Sequence, residues 1–355
     1  EEAADDAEAA DDTAEASDDD QAAADKVAAL IDKIYVQERN DTTDEDCKAA
    51  KEAWDALTDA QKELVEGENA DPDYFGRDTG DASKDDPRNQ DEIGENELLV
   101  VSFGTSFNDS RRLTIGAIEN KLDEEFGKDY SVRRGFTSQI IIDHVKRRDG
   151  IAIDNMTEAL DRAVDNGVKN LVIQPTHLMN GLEYTDVVNE VGDYADAFDQ
   201  VVIGDPLLTS DEDFDEVVKA ITDATAEYGE TAICFMGHGT EADSNEVYQK
   251  MQDKLTDAGF ENYFVGTVEA TPSVDDVLAK VQAGDYKKVV LEPLMIVAGD
   301  HANNDMAGDE EGSWKTTFED AGYDVTCLVR GLGELPAIQD IFVKHAKAAI
   351  DKLNK

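Results

Sequence analysis

The stretch ELLVVSFGTS at positions 97–106 places an apolar run directly before a glycine-containing turn. TAICFMGHGT at 231–240 repeats this arrangement, so that Phe103-Gly104-Thr105 corresponds to His238-Gly239-Thr240. A later correspondence aligns Pro175, His177 and Gly181 in the first half with Pro293, Met295 and Gly299 in the second. The repeat predicts two similar halves, 97–228 and 229–355, with a cleft between them.

Five apolar runs predict the strands of these halves, at 97–103, 169–175, 231–237, 262–269 and 287–297. Amphipathic helices alternate with them. Runs that are apolar throughout indicate strands buried on both faces, which is typical of a parallel sheet covered by helices. The predicted fold class is therefore α/β.

Two helices of the second half have recognisable ends. The helix after His238 is expected to place Val247, Met251 and Leu255 on one face and to stop near Gly259. The pair Thr271-Pro272 is expected to be an N-cap followed by a proline at the first helical position.

Composition excludes several functions. The 355 residues suggest about two domains. With 32 Lys and Arg against 83 Asp and Glu, the net charge is −51, which excludes electrostatic nucleic-acid binding and disfavours adhesion to anionic lipid. The charge permits cationic partners such as metal ions. No apolar run reaches the ~20 residues needed to span a bilayer, and the spacing of Cys47, Cys234 and Cys327 predicts neither a metal site nor a disulfide framework.

The first 96 residues differ in character. Residues 1–25 predict a disordered acidic tail, 26–66 a small helical module, and 67–96 a linker. In the module Val27, Ile31 and Ile34 share a helical face, and Thr58 with Gln61 has capping-box spacing. We expect deletion of residues 1–96 to leave the activity of the remainder intact.

The stretch AKEAWDALTDAQKELVEG at 50–67 resembles helical modules appended to surface proteins of Gram-positive bacteria. Because the chain starts with Glu1 rather than Met, a removed leader or a trimmed end is expected. The resemblance favours an extracytoplasmic or cell-surface protein. The alternative explanation of the acidity is a cytoplasmic protein of a halophile.

Three of the five histidines, namely His177, His238 and His301, follow predicted strand ends beside glycines. Ligands of open α/β sheets bind beyond the carboxyl ends of the strands. His144 and His345 fall in predicted helices, where we expect surface or packing roles.

His238 and His301 combine with Glu269, which ends the run NYFVGTVE, to suggest a metal site. Two imidazoles and one carboxylate suit a borderline divalent metal such as Co(II), Fe(II), Ni(II) or Zn(II). Each residue also has a structural explanation: a glycine turn around His238, a helix-dipole partner in Glu269, and an acidic turn around His301. The sequence contains no His-Glu-x-x-His helix, Cys-x-x-Cys pair, phosphate-binding loop or Gly-x-Ser-x-Gly elbow.

Residues 97–355 resemble the class II tetrapyrrole chelatases, specifically the anaerobic sirohydrochlorin cobalt chelatase family. The matching segments are LLVVSFGTS, QPTHLMNGLEY (174–184), FMGHGT (235–240), GTVEATP (266–272) and GDHANNDMAGD (299–309). They occur in the family's order and spacing.

The resemblance implies two flavodoxin-like, doubly wound halves around a cleft the size of a macrocycle. It implies that His238, Glu269 and His301 bind the metal, with His238 and His301 catalytic and His238 the base. It also implies that His177 faces the tetrapyrrole. We further expect the substrate to contact Phe103, Thr105, His177 and Met295.

The function that this resemblance implies is insertion of Co(II) into sirohydrochlorin, as in cobalamin and porphyrin biosynthesis. Fe(II) and Ni(II) are alternative metal substrates, no organic cofactor is expected, and a homo-oligomer is left open. The competing hypothesis is an exported protein that binds haem or another tetrapyrrole for uptake. A non-haem Fe(II) oxygenase shares the ligand types, but the α/β pattern disfavours it.

The carboxylates of the substrate call for local positive charge. Candidate arginines of the first half are Arg111, Arg112, Arg133, Arg134, Arg147 and Arg148. We expect most of them on helix surfaces and a few at the mouth of the cleft.

Overall fold

A computed structural model describes residues 17–34, 42–70, 72, 74–75 and 79–353. The described residues before Thr79, together with Arg147–Gly150, form one compact unit. The other unit consists of Thr79–Lys146 and the chain from Ile151 onward.

The first unit is helical, as predicted. Its helices are α1 (Asp18–Asp32), α2 (Thr43–Asp55) and α3 (Asp59–Lys62). The predicted apolar faces form its core, and the rings of Trp54 and Phe75 lie 5.5 Å apart at its centre. The predicted capping box of Thr58 and Gln61 starts α3.

Helix α1 begins within the segment that was expected to be a disordered tail. Ser17 and Asp20 form a capping box, and Ala24 is fully buried against the other helices. The cap and this buried contact stabilise a helical turn that acidic composition alone argues against. Residues 1–16 lie outside the described part of the chain.

The predicted linker is also partly built into the fold. Tyr74 and Phe75 are buried in the first unit, and Ala82–Lys84 form a 3₁₀ turn. Asp85 is buried and accepts hydrogen bonds from Arg134 at 2.7 and 3.0 Å and from Arg111 at 2.6 Å. Burial alone would raise the pKa of Asp85, but the two guanidinium groups outweigh it and hold that pKa below its ordinary value.

These contacts correct the expectation that the arginines are mostly on the surface. Arg111, Arg133 and Arg134 are fully buried. Arg133 pairs with Glu97 at 3.0 Å and Asp154 at 2.9 Å, and Arg134 also pairs with Glu119. Buried charges persist only when paired in this way.

Within its described residues, the second unit contains eight strands in two four-stranded sheets. The strands are β1 (Asn96–Ser102), β2 (Ser131–Phe136), β3 (Asn170–Pro175), β4 (Gln200–Ile203), β5 (Ala232–Gly237), β6 (Tyr263–Thr267), β7 (Lys288–Pro293) and β8 (Asp324–Cys327). The orders are β2-β1-β3-β4 and β6-β5-β7-β8, and every pairing is parallel. The identical order confirms the predicted repeat and the α/β fold class.

Helices surround both sheets. They are α4 (Asn108–Leu113), α5 (Ile115–Phe126), α6 (Gln139–Asp149), α7 (Met156–Asp165), α8 (Leu182–Asp193), α9 (Asp211–Ala224), α10 (Glu246–Asp257), α11 (Val274–Gln282), α12 (Trp314–Asp320) and α13 (Pro336–Leu353). Helix α10 buries Met251 and Leu255, as expected. No helix in the described ranges combines the length and apolar character needed to cross a membrane.

One predicted helix start is wrong. The Thr271-Pro272 peptide is cis, and α11 begins later, at Val274. Ser273 is the N-cap, because its hydroxyl accepts from the Asp276 amide while Asp276 accepts from Ser273 in return.

The two halves share a hydrophobic core in addition to the cores that each sheet has of its own. Helix α13 follows the second sheet but packs on α5, α9, β3 and β4 of the first half. His345 of α13 is buried and bonds the Asp205 carbonyl and the Asp213 carboxylate. The packing role expected for this histidine is therefore confirmed.

Candidate metal site

His238 directly follows β5, on a turn that only glycine permits on either side. Gly239 has φ +90°, and a methyl group added there would lie 2.8 Å from the Ala270 amide nitrogen. A methyl group at Gly237 would lie 2.1 Å from the Tyr248 ring. The tyrosine hydroxyl in turn accepts from the Gly239 amide at 3.2 Å. These close approaches define the backbone position of His238.

Glu269 is tied to the same turn. Its amide donates to the His238 carbonyl at 2.9 Å, and the Val268 amide donates to the Gly237 carbonyl at 2.9 Å. The chain beyond β6 therefore stays paired with the chain beyond β5, and the two side chains emerge beside each other. Glu269 Oε2 lies 3.9 Å from His238 Nδ1.

His301 comes from the loop after β7. The loop stays close to β5 where the Leu294 amide donates to the Met236 carbonyl at 2.8 Å. A helical turn then begins, and residues Ala302–Met306 form a π-helix, a feature frequent at functional sites. His301 Nδ1 lies 2.7 Å from Asp305 Oδ2.

The predicted triad comes together at this edge of the second sheet. One donor atom from each of His238, Glu269 and His301 lies within 4.8 Å of the others, and the two imidazole rings are 4.7 Å apart, edge to face. Their side chains are 47%, 54% and 33% exposed, so the site is open to solvent. Such a donor set can hold a divalent cation and leave coordination positions free.

The hydrogen bond of His238 indicates which nitrogen is free. Its Nδ1 lies 2.8 Å from the Gly239 carbonyl, which can only accept. We therefore assign the proton to Nδ1, which leaves the Nε2 lone pair to bind a metal or a proton.

His177 lies at the end of β3 and is buried, with 7% of its surface exposed. Burial lowers its pKa to about 4, so the ring is neutral near pH 7. Neither ring nitrogen has a hydrogen-bond partner within the described part of the chain. Nε2 lies 3.8 Å from Glu183 Oε2.

Glu183 interacts electrostatically with the metal site. Burial raises the pKa of Glu183, and the nearby His238 partly offsets the rise. The carboxylate therefore contacts His177 of the first half and interacts electrostatically with His238 of the second.

The other predicted substrate residues differ in accessibility. Phe103 is 45% exposed just beyond β1. Thr105 is buried; its hydroxyl accepts from the Phe107 amide and would lie 3.1 Å from a methyl group at Gly299. Met295 is partly buried and packs on the core of the second sheet. Their contact with a substrate stays a prediction.

Comparison with known proteins identifies the family. The family model for cobalt chelatase (CbiK) matches residues 96–351, which include both sheets and all three residues of the triad. This chain belongs to the cobalt chelatase family.

Members of the cobalt chelatase family with curated names align over most of their length. The chain is 38% identical over 255 residues to a sirohydrochlorin cobaltochelatase of Salmonella typhimurium, covering 72% of this chain and 96% of the relative. It is 29% identical over 264 residues to sirohydrochlorin cobaltochelatase CbiKC of Nitratidesulfovibrio vulgaris, covering 72% and 91%.

The fold of this chain is similar to that of a solved structure, SirB from Bacillus subtilis with Fe³⁺. The TM-score is 0.52 at 12% sequence identity, and the match covers 74% of this chain and 98% of the other. The expected chelatase-type arrangement of two similar halves is confirmed.

Two residues near the metal site of this cobalt chelatase family member were not predicted as functional. Glu183 lies in the first turn of α8, where a carboxylate is ordinarily explained by the helix dipole. Asp305 belongs by sequence to the acidic turn around His301, and spacing along the chain does not reveal its hydrogen bond to that ring. Neither residue directly follows a strand, so the sequence offered no signal that would have found it.

Proposed function

We propose that the protein inserts a divalent metal ion, Co(II) foremost, into sirohydrochlorin, and that His238, Glu269 and His301 hold the metal before transfer. The convergence of these three side chains from three strand ends of one sheet carries the proposal. The names of the two curated relatives support the metal and the tetrapyrrole. Fe(II) and Ni(II) are the alternative metal substrates.

Insertion replaces two inner N–H protons of the macrocycle with one divalent ion, so two protons must leave as the metal enters. A neutral imidazole accepts a proton well near neutral pH. We assign the first proton to Nε2 of His238, because Nδ1 already carries a proton that it donates to the Gly239 carbonyl. Nε2 accepts this proton only as the metal leaves it for the nitrogens of the macrocycle. We assign the second proton to Glu183, whose carboxylate lies 3.8 Å from Nε2 of His177 and whose pKa is raised by burial.

The test is anaerobic mixing of the protein with sirohydrochlorin and Co(II), followed by absorbance spectroscopy. Wild-type protein should metallate the ring rapidly, and His238→Ala should abolish this without loss of fold. Glu269→Gln should weaken the reaction, whereas Glu261→Gln, on the exposed turn before β6, should leave it unchanged. Unchanged turnover in His238→Ala would refute the role of this residue.

The same mixture tests the carrier hypothesis. A tight bound spectrum of sirohydrochlorin, or of haem examined in parallel, without any metallation would mean that the fold carries tetrapyrroles. The openness of the triad and its donor set favour the chelatase, since a carrier has no need of a proton acceptor beside a metal site.

The location outside the cytoplasm is a separate proposal. The resemblance of residues 50–67 to helical modules of bacterial surface proteins supports it, whereas the acidic composition fits a halophile equally well. Fractionation of the native cells, followed by immunodetection, should find the protein in the extracytoplasmic fraction. Its recovery with cytoplasmic markers would overturn the proposal and favour the halophile explanation.

A further inference from the structure

The contact between His301 and Asp305 gives the metal site a feature beyond its three ligands. Nδ1 of the ring and Oδ2 of the carboxylate are 2.7 Å apart. An ionised carboxylate only accepts hydrogen bonds, so Nδ1 carries the proton and Nε2 keeps its lone pair. The tautomer with Nε2 free is the one that binds a metal through that atom.

The surroundings of His301 leave this ring dependent on Asp305. Its side chain is one-third exposed, and its neighbour His238 meets it edge to face, a contact that does not select one tautomer. The other metal-site histidine gains its second contact from a rigid backbone carbonyl at Gly239. The second contact of His301 comes from a side chain, that of Asp305, four residues further along the π-helical turn.

We propose that Asp305 is a positioning residue for His301. It holds the imidazole in the tautomer and orientation that present Nε2 to the metal, and it strengthens the ring as a donor. Carboxylates placed behind metal-binding histidines act in this way, and their loss typically weakens metal affinity 10–100-fold. The inference rests on the proposed metal site and adds to it a residue that does not touch the metal.

Asp300 offers the matched control. It lies in the same cluster, with one donor atom within 4.8 Å of those of His301 and Asp305, and carries the same charge. Its Oδ1, however, accepts from the Asn304 side chain at 2.7 Å. If the two aspartates and His301 instead held a second metal ion, loss of either aspartate would weaken the binding of that ion equally.

The experiment is a titration of the full-length protein with Co(II) alone, followed by the visible absorption bands of the bound ion. Wild type should bind one equivalent. Asp305→Ala should also bind one equivalent but 10–100-fold more weakly, with altered band intensities. The affinity for Co(II) should fall 2–10-fold in Asp305→Asn, whose amide oxygen still accepts from Nδ1–H. It should fall less than twofold in Asp300→Ala. If Asp305→Ala fails to fold, Asp305→Ser, too short to reach the ring, takes its place with the same expectation.

Turnover with sirohydrochlorin adds a second readout. In Asp305→Ala the KM for Co(II) should rise more than kcat falls, because saturating metal compensates for a weakened site. Wild-type affinity in Asp305→Ala would overturn the positioning role. So would two equivalents in wild type that fall to one in both aspartate variants.

His301→Ala separates this inference from the proposed function. If it binds Co(II) as wild type does, the triad itself is wrong. If it loses Co(II) while Asp305→Ala keeps it, the triad stands and the positioning role falls.

Discussion

At the scale of single residues, Gly239 decides where His238 points. Its φ of +90° and the 2.8 Å approach to Ala270 mean that a side chain at this position strains the turn and collides with the chain beyond Glu269. Both effects act on the turn that joins two of the proposed ligands.

We expect Gly239→Ala to lower the free energy of unfolding by roughly 1–3 kcal/mol from backbone strain and to weaken Co(II) binding strongly. Gly259→Ala is the control, because Gly259 has φ +87° with no atom within 4 Å of an added methyl group. Gly259→Ala should lose comparable stability but bind Co(II) as tightly as wild type does. Urea denaturation and Co(II) titration measure the two quantities, and equal Co(II) affinity in both variants would contradict the expectation.

His177 should make the protein less stable in acid. Its folded pKa of about 4 lies below the ordinary value of 6.5, so the unfolded state takes up the proton first. The contribution of neutral His177 to the free energy of unfolding is intact above pH 6.5. It falls by roughly 3 kcal/mol in total as the pH drops toward 4. The free energy of unfolding of His177→Asn, measured from pH 7.5 to 4, should decline less steeply than that of wild type. Parallel curves would argue against a buried neutral ring.

The candidate site could be predicted from sequence because its residues follow strand ends. Glu269 ends an apolar run, and His238 and His301 follow two others within a few residues. Parallel strands bring such ends to one edge of the sheet. Asp305 and Glu183 could not be assigned in this way. Their contacts depend on a π-helical turn and on the approach of the first half, and neither has a sequence signature.

At the scale of elements, β2 shows why part of the fold was missed. Its residues SVRRGF include Arg133 and Arg134, which are typical of a surface segment by composition. They are buried because Glu97, Asp154, Glu119 and Asp85 approach from four other segments. Strands β4 and β8 are short and half-exposed, so they lack the long apolar runs that predicted the other five.

Asp85 should be important for stability although it lies in a segment that is typical of a linker. Asp85→Ala leaves Arg111 and Arg134 without the carboxylate they share, which should cost about 3–5 kcal/mol. Asp81→Ala removes an exposed acid from the same segment and should cost less than about 1 kcal/mol. Urea midpoints at neutral pH measure both. Similar midpoints for the two variants would mean that the buried pairs contribute little.

At the scale of the whole molecule, the two halves act as one unit. Helix α13 follows the second sheet but packs on the first half. His345 of α13 forms a hydrogen bond with Asp213 of the first half. The internal repeat predicts two similar sheets. It does not predict that α13 packs on the first half, because α13 belongs by sequence to the second half. The unit extends upstream to Thr79, beyond the boundary expected at Glu97.

This boundary gives a prediction in which two truncations differ. A chain that begins at Thr79 keeps Asp85 and should fold and metallate sirohydrochlorin at a rate close to that of the full-length protein. A chain that begins at Glu97 loses Asp85, and also Arg88, whose carbonyl accepts from the Arg134 amide at 3.0 Å. A loss of several kcal/mol is a large part of the 5–15 kcal/mol that stabilises a typical domain. We therefore expect the shorter chain to melt at a much lower temperature and to recover insertion activity only in part. Equal melting temperatures for the two truncations would return the boundary to Glu97 and make residues 79–96 the linker that their composition suggests.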